Sequence, residues 1–140
     1  MRCHYMEVSR IMEQQLKITQ ERLDAAKYLF DGGFYKDSVS RAYYSMYHAA
    51  MAILTLRDVK ARGSSGVLRV LGLYMLQEKD MGHYYASALK FAKEERKKGD
   101  YDIFAEIGEE EAETIIGDAE KFLKRVEELV GPIDEGDTDG

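Results

Sequence analysis

Tryptophan is absent from this chain, and proline and cysteine each occur once. The lone Cys3 cannot form an internal disulfide, so a disulfide-stapled fold is excluded and a reducing cytoplasm is the expected setting. The lone proline is Pro132, so nothing earlier in the chain carries a ring that would break a helix. There is no apolar run of about eighteen residues, so no membrane span is expected. The opening MRCHYMEVSR has no apolar stretch of the kind a secretory signal needs. No alternating apolar pattern is long enough for a strand. There is no Gly-rich phosphate loop and no nucleophile elbow. The three His and one Cys do not fall at zinc-site spacing, so neither a metal nor a cofactor is expected.

What the chain does have is helix formers in helical register: Ala, Leu, Glu, Lys, Met and Arg are plentiful. With 140 residues it is long enough for one domain with a real core. A first helix is expected from about Glu7 to Phe30, with Ile11, Leu16, Leu23, Ala26 and Leu29, and Tyr28 and Phe30 near the end, on its apolar side. Asp31-Gly32-Gly33 should stop it. A second runs from about Tyr35 to Leu56, with Val39, Tyr43, Met46, Tyr47, Ala50, Ile53 and Leu54 as a buried stripe. Ser64 or Ser65 can cap a third helix carrying Val67, Leu68, Leu71 and Met75. A fourth spans about His83 to Lys98 and should end at Gly99. After a connector with apolar anchors, Tyr101 to Gly108, the last helix covers about Glu109 to Val130, with acidic residues in its first turn where the helix dipole favours them. The expected architecture is an all-α, up-and-down bundle of four to five helices forming a single domain over residues 1–130. Residues 131–140 form an acidic tail expected to be disordered.

Charge is unevenly spread beneath a net value of −6. Residues 34–100 carry twelve Lys or Arg against seven Asp or Glu, whereas residues 101–140 carry three against fourteen. A locally basic middle can draw a polyanion to one face, and an acidic helix and tail can equally serve only solubility.

Within that basic middle, Arg41 and His48 lie seven residues apart in SRAYYSMYHAAMAIL. Seven residues is nearly two turns, so both side chains leave the same face of the second helix. A guanidinium fork suits phosphate oxygens, and an imidazole exchanges protons near neutral pH. Tyr44, three residues from Arg41 and four from His48, flanks the same face and could stack on an unpaired base. The structural reading stands beside this one: an Arg bonded to a neighbouring carboxylate, a packed His, and tyrosines buried with bonded hydroxyls. For Tyr43 and Tyr47 the stripe favours packing. Asp100 and Asp102 read as turn caps or ion-pair partners rather than as a metal-binding pair.

The run SRAYYSMYHAA, Arg followed by His on one helix, closely resembles the signature of the HEPN domain family. The downstream KGDYD and FAEIGEEEAE resemble the C-terminal half of small stand-alone HEPN proteins, often encoded beside a minimal nucleotidyltransferase, and the likeness extends from about Gln15 to Val130. The resemblance implies a four- or five-helix bundle that forms a homodimer. In active members, Arg and His of both subunits meet in a cleft and cut RNA without a metal. It implies that Arg41 contacts phosphate, that His48 is the general acid or base, and that Ser45 supports RNA or partner binding alongside Tyr44. One departure is Ser64, in GSSGV, where relatives often carry a His. The function so implied is a HEPN-type RNA-binding protein or metal-independent endoribonuclease, the toxin-like half of a pair with a minimal nucleotidyltransferase. The alternative is a non-catalytic interaction module that binds such a nucleotidyltransferase or a nucleotide.

Overall fold

The computed structural model describes residues 2–57, 63, 66, 69, 70, 73 and 82–131. It is an all-α helical bundle in which four helices are traced from end to end: α1 (Arg2–Asp31), α2 (Tyr35–Leu56), α3 (Gly82–Tyr101) and α4 (Glu109–Val130). The intervening residues 63, 66, 69, 70 and 73 are also helical. The cap of the expected third helix, Ser64 or Ser65, and the acidic tail from Pro132 lie outside the described residues.

Local chemistry explains the ends. Gly33 adopts a φ of 82°, and its N–H donates to the Phe30 carbonyl while that of Phe34 donates to Leu29. That pair of bonds closes α1 and turns the chain directly into α2. At the start of α4 the Gly108 N–H donates to Glu111 Oε2 at 3.0 Å, the N3 half of a capping box, in a first turn that holds three acidic residues.

The core is built largely from small and branched side chains of α2 and α4. Ala42, Ala49, Ala50 and Ala52 let neighbouring helices approach α2 closely, and Tyr43, Met46, Ile53, Ile115 and Phe122 fill the space between. Two buried serines tie α2 to α1. Ser38 Oγ donates to the Ala26 carbonyl at 2.8 Å, and Ser45 Oγ donates to that of Thr19 at 2.9 Å. The bonded partner on α1 moves back as the position on α2 advances, so the helices are antiparallel with a defined register.

Several expectations need correction. The first helix begins at Arg2 rather than near Glu7. Tyr28 faces solvent with 80% of its surface exposed, so it is not part of the apolar side. Gly99 does not end α3, which continues to Tyr101. Its role is close approach, since a Cβ there would meet Ile107 Cδ1 at 2.9 Å. In the α3–α4 connector Ile107 is a buried anchor, but Ile103 and Phe104 are 85% and 87% exposed.

Candidate functional site

Helix α2 is buried along one side and open along a stripe that runs through Asp37, Arg41, Tyr44, His48 and Met51. Arg41 and His48 emerge on this stripe about 10 Å apart along the helix axis. Arg41 is exposed and has no carboxylate partner among the described residues. His48 is half-buried, its ring centre 5.5 Å from that of Tyr47 in a T-shaped contact. Burial and, after it, the positive field of Arg22 on α1 hold its pKa below the ordinary imidazole value. The neutral ring, able to accept a proton, therefore persists to more acidic pH than for a free histidine.

Tyr44 is half-buried and held from two sides. Its ring meets that of Tyr43 edge-on at 5.1 Å, and the guanidinium of Arg96 on α3 lies 5.5 Å from its centre. The same guanidinium is 5.1 Å from the Tyr43 ring, and its Nη1 donates to Asp100 at 3.1 Å. Such cation–π contacts orient a ring as well as stabilise it. Arg96 Nε is buried with no hydrogen-bond partner. Tyr43 is a core residue and Tyr47 packs against the core, as the stripe suggested.

Ser45 is placed differently from the expectation. Its side chain is fully buried and its hydroxyl is committed to the Thr19 carbonyl, so it cannot meet RNA or a partner. On the helix it lies about 40° from Arg41, enough to carry it from the open stripe into the seam with α1. Asp100 pairs with Arg96, not with Lys97 or Lys98, and Asp102 Oδ1 accepts the Phe104 N–H in a turn. Among the described residues no three His, Cys, Asp or Glu side chains converge as metal ligands would.

Two cations escaped the sequence reading. Arg22 and Arg96 sit on other helices, and their proximity to His48 and Tyr44 is a consequence of packing. A faint signal existed for Arg22, which has Ile18, Thr19, Ala25 and Ala26 three and four residues away and hence no acidic neighbour on its own helix. Two shallow concavities lie elsewhere, around Lys36, Phe104 and Ile107 at the start of α2 and the α3–α4 connector.

What these side chains offer together is an exposed guanidinium, an imidazole biased towards its neutral form and an oriented aromatic ring. Comparison with known proteins bears on the chain as a whole. A "Putative toxin MJ0605" of Methanocaldococcus jannaschii is 36% identical over 118 residues, covering 84% of this chain and 87% of that one. A second protein of the same organism, "Putative toxin MJ0142", is 28% identical over 132 residues, or 93% of this chain and 90% of its own. "UPF0332 protein PH1297" of Pyrococcus horikoshii is 39% identical over 92 residues, 66% of this chain and 65% of its own. The family model for the HEPN domain matches residues 12–129, and the chain therefore belongs to the HEPN domain family.

Proposed function

We propose that this protein is a toxin-like, metal-independent HEPN endoribonuclease that works as a homodimer in the cytoplasm and is restrained by a minimal nucleotidyltransferase. The observation that carries the reading is the shared open face of Arg41 and His48, with His48 held below the ordinary imidazole pKa. A neutral imidazole suits the base role. It takes the proton of an RNA 2′-hydroxyl as that oxygen attacks the adjacent phosphorus. The P–O5′ bond breaks, leaving a 2′,3′-cyclic phosphate and a 5′-oxygen that must gain a proton. Arg41 steadies the negative charge on the phosphorane. General acid–base catalysis of this kind contributes about 10²–10⁴-fold. One His per chain cannot both take and give a proton in the same step, so a second copy related by a two-fold axis supplies the acid. Tyr44 offers its free edge and face to a base of the bound strand.

The names of the relatives support the toxin-like part of this reading, and the family match supports the helical frame on which it rests. The test is incubation of the purified protein with labelled single-stranded RNA in EDTA. Cleavage is expected, and Arg41→Ala and His48→Ala should each abolish it while the helical circular dichroism stays intact. Cleavage undiminished in both variants would remove the site.

A second reading, a non-catalytic interaction module, is favoured by one feature. Tyr101, Ile103 and Phe104 stand 77%, 85% and 87% exposed around the α3–α4 connector, more apolar surface than a solvated loop needs. A stable complex with the nucleotidyltransferase, together with intact RNA, would select this reading.

A further inference from the structure

We propose that the anion-binding face continues across the α1–α2 seam, and that Arg22 on α1 grips a phosphate of the bound strand beside the one held by Arg41. This rests on the reading that the open face of α2 binds RNA, and it adds a residue from a second helix.

The register of the seam places Arg22. The Ser38–Ala26 and Ser45–Thr19 bonds set position 22 opposite position 42. Arg22 and Arg41 thus stand within about one residue rise, 1.5 Å, of the same height on neighbouring antiparallel helices. Both are on the solvent side of the seam. The residues beside them that turn inward, Leu23 and Ala26 on α1 and Ala42 and Ala49 on α2, are buried. His48 shares the Arg41 face, and the positive field of Arg22 at its ring accords with the side that the register gives Arg22. Arg96 on α3 faces the rings of Tyr43 and Tyr44 instead, so Arg22 is the charged group of the packed helices whose field is resolved at His48.

The second argument is charge. Arg22 is half-buried and, like Arg41, has no carboxylate partner among the described residues. By contrast, the guanidinium groups of Arg96 and Arg125 are paired with Asp100 and Glu128. Two guanidinium groups left without counter-charge at one height, beside a histidine biased to neutrality, form a surface complementary to a polyphosphate backbone.

The experiment measures binding of a fluorescent single-stranded DNA oligonucleotide, which has no 2′-hydroxyl and cannot be cut, over a range of salt concentrations. Each phosphate contact on a single strand contributes about 0.7 to the slope of log affinity against log salt. Arg22→Gln is expected to weaken binding several-fold and to flatten that slope by about 0.7. Arg22→Lys should keep most of the slope, and Lys124→Gln on α4 should change neither quantity. A parallel NMR titration should show the His48 pKa rising in Arg22→Gln and staying low in Arg22→Lys. Binding that falls with Arg41→Gln but is indifferent to Arg22→Gln would overturn the Arg22 assignment alone. No binding by the unmodified protein would overturn both it and the reading on which it rests.

Discussion

Ser45 Oγ reaches across the α1–α2 seam to the Thr19 carbonyl at 2.9 Å, and this bond sets the height at which Arg41 and His48 face Arg22. The hydroxyl is wholly buried, so its removal takes this donor from the Thr19 carbonyl. A buried hydrogen bond of this type contributes about 1 kcal/mol net. Ser45→Ala is expected to lower stability by about that amount and to move the urea midpoint without changing the slope of the transition. An unmoved midpoint would show that the seam is held by packing alone.

The depressed pKa of His48 makes stability depend on pH. In the unfolded chain the imidazole has its ordinary pKa of about 6.5, and in the folded protein its pKa is lower. Between the two values the unfolded state binds more protons, so stability rises with pH. Stability should therefore fall as pH drops below about 6.5 and stop falling, on this account, below the folded pKa. His48→Gln should remove that component of the pH dependence. A wild-type and a variant curve that run parallel through this window would contradict the shift.

Arg96 tests how Tyr44 is held. Its side chain is only 12% exposed and serves two rings as well as Asp100, itself 37% exposed. Arg96→Met keeps the apolar stem and removes the cation, and should cost about 1 kcal/mol. Asp100→Asn should cost less, because an ion pair open to solvent contributes little. Near-ultraviolet circular dichroism should change in Arg96→Met and not in Asp100→Asn. The reverse ranking would mean that the ion pair, not the ring contact, fixes the guanidinium.

Gly33 carries the turn between α1 and α2 at a φ of 82°, a region that side chains with a Cβ disfavour. Space is not the obstacle, since a Cβ there would meet nothing within 4 Å. Gly33→Ala should thus destabilise by about 1 kcal/mol through backbone strain alone. Gly33→Asn should be milder, because Asn tolerates this conformation better. Equal losses for the two, measured by thermal unfolding, would point to a packing cause instead.

Periodicity carried much of the helical layout into view. The expected bounds of α2, Tyr35 to Leu56, and of α4, Glu109 to Val130, coincide with the structure. A 3.6-residue repeat and a strong end signal such as Gly33 or Gly131 are local properties. Gly99 misled because its local signal, a helix stop, was overruled by Ile107 packed against its backbone. Ser45, which the resemblance to the family made a supporting residue, misled for a similar reason: α1 covers it.

The order of residues along α2 alone settles that Arg41, Tyr44 and His48 leave one side of a helix, because that follows from the pitch of the helix. It also settles the all-α class, through composition and the absence of strand periodicity. Which neighbours those three side chains meet is a matter of register between helices that are distant along the chain. The Ser38 and Ser45 bonds and the alanine-lined approach of α1 bring Arg22 to His48, and the packing of α3 brings Arg96 to Tyr44. Long-range packing, not intrinsic propensity, thus turns a helical spacing into a face with a defined charge.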